Sequence, residues 1–286
     1  MPRLKKEFRM EYYKIVGFSK EPFSNTPDPD YFYHSQEHKE AIHRLEIAIR
    51  LKRGLSIILG NVGTGKTTLC RTLLQTFGDS KSKYIFKLIL DPNFQSEYEF
   101  VKTIMEVFEI SDIPNSTMAC KNILENYLYK VGIVEGRNPV LIIDEGQILT
   151  PTYLEILRTL LNFETNKEKL LQLIIFGQPE LLAKVKRQNN FFDRINLGYV
   201  LNPMNKYDTS RMIQFQLKKA GLKDSGDLFN DEALEEIYNY TQGSPRKIVS
   251  LCHDALLAMI RADKKQVDSE IISSSIKEKE NWNVIF

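Results

Sequence analysis

Cysteine is scarce in this chain of 286 residues, which carries three: Cys70, Cys120 and Cys252. The number is odd and no pair stands at C-x-x-C spacing, so neither a disulfide framework nor a zinc site is suggested, and a reduced cytoplasm is the expected setting. Long apolar runs are missing too. None approaches the roughly 20 residues needed to span a bilayer, and the start Met1-Pro2-Arg3-Leu4-Lys5-Lys6 leads into no signal-peptide apolar region. Any membrane contact is therefore expected to come through a partner. Nor is there an excess of charge: 39 basic against 37 acidic residues leave a net +2. That balance does not by itself mark a nucleic-acid protein, and a cluster such as Lys184-Val185-Lys186-Arg187 reads equally well as a solvated face. No internal repeat or low-complexity segment interrupts the chain. What it has is enough length to bury a substantial core in more than one domain.

The most informative stretch is Ile57-Ile58-Leu59-Gly60-Asn61-Val62-Gly63-Thr64-Gly65-Lys66-Thr67-Thr68, an apolar strand and a glycine-rich loop that opens a helix beginning Leu69-Cys70-Arg71. Its spacing is the complete G-x-x-x-x-G-K-T pattern. Glycines at 60, 63 and 65 let the backbone wrap closely, so that successive N–H groups and the positive end of the helix point at a polyphosphate. Lys66 would then reach the terminal phosphates, and Thr67 would offer its hydroxyl to a magnesium ion. The alternative, a glycine-rich turn with a solvated lysine, leaves unexplained why strand, loop and helix follow one another in the order the motif needs. The pattern points to a nucleoside triphosphate.

Taken in order, residues 1–9 are a basic tail, and Met10 could be the true start. Gly17-Phe18-Ser19-Lys20-Glu21-Pro22-Phe23 and Thr26-Pro27-Asp28-Pro29-Asp30-Tyr31-Phe32-Tyr33 carry too many prolines for a helix. They are expected to form an ordered loop laying its aromatics on the nucleotide-binding core, with Phe32 or Tyr33 a candidate wall for the base. Gln36 to Lys52 has helical spacing. Strands are expected at 84–90, 139–145, 170–176 and 197–201, with helices at 97–108, 117–131, 151–163 and 180–185 between them. This alternation predicts a three-layer αβα domain with a parallel sheet. Pro139-Val140-Leu141-Ile142-Ile143 is apolar enough for a strand buried on both faces. Asp144 and Glu145 follow it, at the sheet end where open parallel sheets bind ligands. Asp144 is expected to serve magnesium together with Thr67, and Glu145 to polarise the attacking water. Gln178, at the end of a neighbouring strand, either orients that water or caps its loop.

Beyond Pro203 the signals are purely helical: 208–220, a helix capped by Asp231 through 240, one from Gly243-Ser244-Pro245-Arg246-Lys247 to about 262, and a short last helix after Asp268. A helical bundle after a nucleotide-binding sheet reads as a lid. Arg246, in the first turn of its helix, could sense a γ-phosphate.

The order phosphate loop, Asp144-Glu145, Gln178, Arg194 and Gly243-Ser244-Pro245-Arg246 resembles the AAA+ ATPases. More narrowly, the Pro-Phe and Thr-Pro-Asp-Pro elements within Phe18 to Tyr33, Gly63-Thr64-Gly65-Lys66-Thr67-Thr68-Leu69-Cys70-Arg71 and Phe176-Gly177-Gln178-Pro179-Glu180-Leu181 resemble the ExeA/GspA, or general secretion pathway protein A, family. The likeness runs from Met10 to about Ile260. It implies an AAA+ domain over 10–205, a helical lid over 206–286, ATP and Mg2+ as cofactors, and magnesium-dependent ATP hydrolysis. Carried over, Gly60 to Thr68 form the Walker A loop and Asp144-Glu145 the Walker B pair. Gln178 falls near sensor 1 and Arg246 at sensor 2, while Arg194 becomes the candidate arginine finger, offered to a neighbouring copy's ATP or else an ordinary surface arginine. Departures are Gly146 where alanine is expected in an Asp-Glu-Ala-Gln run, Gly198 where relatives often carry a second arginine, and Asp91 where an asparagine commonly contacts the catalytic glutamate.

The family also implies partners. These are further copies of the chain, in a ring or filament, and a membrane-bound component of a type II secretion or MSHA-like pilus system whose assembly the ATPase powers or regulates, which would leave the protein cytoplasmic or peripheral to the inner membrane. The chain closes on Asn281-Trp282-Asn283-Val284-Ile285-Phe286 without the membrane span and peptidoglycan-binding domain of the longer members, so it is expected to resemble the short ones. The alternative is a transposition regulator of the TnsC/TniB/MuB kind, whose AAA+ domain is similar and which forms ATP-dependent filaments on DNA with a transposase as partner.

Overall fold

The computed structural model describes residues 12–24, 32–78, 82–165, 168–222 and 228–285, the side chains of 282–285 excepted. The basic tail and the Thr26-Pro27-Asp28-Pro29-Asp30-Tyr31 stretch lie outside the described residues. The chain forms two compact units. One has its described residues within Met1–Glu37, Gly63–Gly65 and Pro203–Phe286; the other comprises His38–Val62 and Lys66–Asn202.

After α1 (Tyr12–Ile15) and α2 (Gln36–Arg50), the larger unit is built on five strands. β1 (Leu55–Leu59) leads through the phosphate loop into α3 (Lys66–Thr76), followed by β2 (Tyr84–Ile89), α4 (Glu97–Val107) and α5 (Thr117–Tyr129). A π-helical turn, Lys130–Val134, prolongs α5, so the predicted end near 131 falls inside a wider turn. β3 (Asn138–Ile143), α6 (Pro151–Leu160), β4 (Gln172–Gly177), α7 (Glu180–Lys186), the short α8 (Asn189–Phe192) and β5 (Ile195–Val200) complete the unit. The strands pair in parallel in the order β2-β3-β4-β1-β5.

Sequence decides strand position. β1, β3 and β4 are buried at every residue and apolar but for Ser56, Asn138 and Gln172, as central strands covered on both faces are expected to be. β5, at the edge, alternates half-buried Ile195, Leu197 and Tyr199 with exposed Asn196, Gly198 and Val200. Because side chains alternate along a strand, Ile57, Leu59, Leu141, Ile143, Leu173 and Ile175 enter one core with α4, α5 and α6. Ile58, Val140, Ile142, Ile174 and Phe176 enter a second core with Ala41, Leu45 and Ile49 of α2 and Leu69, Cys70 and Leu73 of α3. The expected three layers follow from this division.

The helical unit contains α9 (Lys206–Lys219), α10 (Asp231–Thr241), α11 (Pro245–Arg261) and α12 (Ser269–Ile285). Asn205 Oδ1 caps α9 by accepting from Asp208 N at 2.7 Å. α10 is capped by Asn230, whose Oδ1 accepts from Ala233 N at 2.8 Å, rather than by Asp231. The last helix has 17 residues and is not short: Ile271 and Ile272 are buried in this unit's core.

The N-terminal aromatics also belong here. Phe18 and Phe23 are buried with Phe229, Leu217 and Ile248 in the helical core, not against the sheet as the sequence suggested. The reason is local. Ser19 N and Oγ both donate to Ala220 O, at 2.8 Å each, and Tyr12 Oη donates to Glu21 Oε1 at 3.0 Å while lying 2.9 Å from His253 Nδ1. Tyr33 Oη donates to Asp208 Oδ1 at 3.0 Å, and burial, with that bond, pushes the phenol up to about 12. Tyr33 thus packs on α9, and Phe32 packs edge-on against His34 at 4.9 Å.

Candidate functional site

The parallel register sets the geometry. Leu59 of β1 stands opposite Gly177 of β4, and Ile143 of β3 stands opposite Ile175, so the phosphate loop, Asp144 and Gln178 all leave the sheet at its carboxyl edge. Gly60 N donates to Gly177 O at 3.0 Å, fixing the root of the loop. Gly63 and Gly65 have φ of 80° and 93°, which residues with a side chain rarely adopt.

Lys66 opens α3 and is buried. Its Nζ donates to Gly60 O at 2.7 Å and to Asn61 O at 3.1 Å, curling the side chain back over its own loop. Burial pulls its pKa down, and the carboxylates of Glu145, Asp144 and Glu180 oppose that shift. Thr67 Oγ1 donates to Asp144 Oδ2 at 2.8 Å across 77 residues of sequence. Asp144 is itself buried, and its other oxygen accepts from Glu145 N at 2.9 Å. A hydroxyl, a carboxylate and an ammonium therefore meet beside the glycine-bearing loop. This donor set suits a polyphosphate with its divalent cation.

Glu145 has a left-handed backbone, φ 51° and ψ 37°, before the 3-10 turn Gly146–Ile148. Non-glycine residues pay about 1 kcal/mol for this conformation, and it concentrates at functional sites. Gly146 explains itself sterically: a Cβ there would overlap Ile175 Cγ2 and come within 3.0 Å of Phe176 O and 3.2 Å of Leu181 Cδ2. The alanine expected from the resemblance has no room.

Sequence reasoning placed Gln147 in the Asp-Glu-Ala-Gln pattern but gave it no role. Its Nε2 donates to Glu145 Oε2, and its Oε1 accepts from Gln178 N at 3.0 Å. Its backbone O accepts from Lys184 Nζ, which also donates to Leu149 O at 3.2 Å. Gln147 stands two residues beyond the acidic pair, and nothing in local periodicity distinguishes it from a loop residue. Lys184, first read as part of a solvated basic cluster, is in fact bonded to this turn.

Arg194 is not brought to the loop. It immediately precedes β5, where Ile195 pairs with Leu55, while the loop follows Leu59. At about 3.3 Å per residue the two lie roughly 20 Å apart along parallel strands, at opposite ends of the strands. Asp91 is exposed at the end of β2. In the helical unit, which includes Gly63–Gly65, Arg246 N donates to Gly63 O at 3.4 Å, and a Cβ on Gly63 would meet both Arg246 Cβ and Ser244 Oγ at 3.0 Å. Gly243, with φ 70°, leaves no space for a side chain against Met204 O.

Residues 49–185 match the family described as AAA domain. Among curated proteins, General secretion pathway protein A of Aeromonas hydrophila is 32% identical over 264 residues, covering 91% of this chain and 47% of that protein. An uncharacterized ATP-binding protein of Methanocaldococcus jannaschii is 25% identical over 244 residues, covering 70% of this chain and 65% of the other. The chain thus spans about half the length of the first relative and under two thirds of the second. Among solved structures, Cdc6p from Pyrobaculum aerophilum superposes with a TM-score of 0.66 at 16% identity, over 90% of this chain and 70% of that one. This last likeness is one of fold alone.

Proposed function

From the AAA domain match over residues 49–185 and the 32% identity to General secretion pathway protein A, we propose that the chain is an AAA+ ATPase that binds ATP with Mg2+, hydrolyses it, and does so as an assembly of several copies. The observation that carries this reading is the 2.8 Å bond from Thr67 Oγ1 to Asp144 Oδ2, which joins the loop helix to the end of β3 where such sites hold their metal. Thr67 and Asp144 would hold the magnesium ion, which when bound neutralises phosphate charge. Lys66 carries its positive charge beside Asn61 and the loop glycines, ready to exchange carbonyl partners for phosphate oxygens. Glu145 accepts the proton of the attacking water, and Gln178 helps to orient that water. Arg246 is assigned, from its place in the sequence pattern, to answer the γ-phosphate.

Arg194 is proposed to act on a neighbouring copy's nucleotide. Its distance from its own loop supports this, since a finger at the opposite end of the strands cannot serve in cis. The relationship to General secretion pathway protein A supports a role in building a cell-envelope secretion or pilus system through a membrane-bound component. No helix among the described residues is long and apolar enough to cross a membrane.

The test is a pair of variants assayed for binding and turnover. Lys66→Ala is expected to abolish ATP binding. Glu145→Gln is expected to keep binding and lose turnover by about 100-fold or more, within the range a positioned general base contributes. Equal loss of binding in both would overturn the division of roles.

A further inference from the structure

In the larger unit a side-chain amide lies between the two residues assigned to water. Gln147 donates through Nε2 to Glu145 Oε2 and accepts through Oε1 from Gln178 N at 3.0 Å. A glutamine amide offers a donor and an acceptor in fixed relation, so one neutral group satisfies both a carboxylate and a backbone N–H.

The turn does not need this amide to hold its shape. Ile148 N donates to Glu145 O at 2.9 Å and Leu149 N to Gly146 O at 3.1 Å, while Lys184 ties the backbone of Gln147 to α7. The side chain of Gln147 is therefore available for something other than folding. Its bond engages Oε2, one of the two carboxylate oxygens of half-buried Glu145.

Resting on the assignment of Glu145 as the water-polarising carboxylate, we propose that Gln147 is its positioning residue. It fixes the rotamer of that carboxylate and couples it to the strand end carrying Gln178. A displacement of Gln178 on nucleotide binding reaches Glu145 through one amide. Lys184 keeps the turn and α7 moving together, so Glu145 and Gln178 answer as a pair.

Two variants of the full chain test this. Gln147→Glu keeps the size of the side chain and the acceptor for Gln178 N but sets a carboxylate against Glu145. Gln147→Ala removes both bonds. Each is expected to lower kcat 10- to 100-fold, with KM for ATP and the Kd for a fluorescent ATP analogue within twofold of the parent. In thermal unfolding, the loss of Tm in Gln147→Glu is expected to be recovered in Glu145→Gln/Gln147→Glu, where an amide again faces a carboxylate, while turnover stays at the level of Glu145→Gln alone. A kcat within twofold of the parent in both variants overturns the proposal. So does a fall in kcat matched by equal weakening of ATP binding, which marks a merely structural loop residue. A parent chain that hydrolyses no ATP removes the assignment of Glu145 first; an active parent with unaffected variants removes only the role of Gln147.

Discussion

Replacing Gly146 by alanine tests the packing under the turn that follows Glu145. The new Cβ would overlap Ile175 Cγ2 and approach Phe176 O to 3.0 Å. Neither neighbour can yield easily. Ile175 is β-branched and fully buried, and Phe176 pairs with Ile58 in a central strand. Overpacking of this kind costs about 1–3 kcal/mol, and the rigid surroundings put Gly146→Ala at the upper end. Alanine recovers about 0.4–1 kcal/mol by restricting the unfolded chain. The net loss is then about 2 kcal/mol, or roughly 4–8 °C in Tm for a unit of this size. Scanning calorimetry on parent, Gly146→Ala, Ile175→Ala and the double variant provides the assay. Ile175→Ala alone is expected to destabilise by about 2–5 kcal/mol, and the pair by less than the sum, because the cavity receives the methyl. An unchanged Tm in Gly146→Ala, or strict additivity, would refute the close approach of this turn to β4.

Mixing Arg194→Ala with Glu145→Gln is expected to restore turnover, because each copy supplies what the other lacks; a mixture no more active than its components would show that Arg194 serves no neighbour. The lowered pKa of Lys66 has a consequence without nucleotide. Between its depressed folded value and 10.5, the unfolded chain binds more protons, so stability contributed at this site rises with pH through that window. Compared with Lys66→Met by urea unfolding, the parent should therefore gain from neutral pH toward 10.5, and parallel curves would contradict the burial of its ammonium. Phe23→Ala is expected to cost about 3–5 kcal/mol in the helical unit, where its ring meets Phe229 at 6.1 Å; a loss below about 1 kcal/mol would detach the N-terminal segment from that core. Titration with DNA in the presence of ATP is expected to give no salt-dependent affinity. Binding that falls steeply as salt rises would instead favour a DNA-filament function.

The sheet was legible because burial on two faces demands largely apolar runs, and residues 139–143 and, but for Gln172, 170–176 provide them. The loop chemistry was legible for a different reason: a polyphosphate needs glycines, lysine and threonine at fixed offsets, all within nine residues. What escaped depends on contacts distant in sequence. That Gln147 bridges Glu145 and Gln178 follows from the pairing of β3 with β4, which no local pattern encodes. The placement of Phe18 and Phe23 was misjudged because an aromatic residue between prolines advertises burial without naming its partner. The cap of α10 shifted by one residue since Asn230 and Asp231 are both good caps, and only backbone geometry selects between them.

Position 145 pits two kinds of selection against each other. Its left-handed backbone suits glycine better than glutamate, so a library of variants sorted only for heat resistance should drift toward Glu145→Gly. The same library sorted for turnover should retain the carboxylate. The two enriched populations would part at this codon while agreeing at Gly146, where space leaves neither regime a choice.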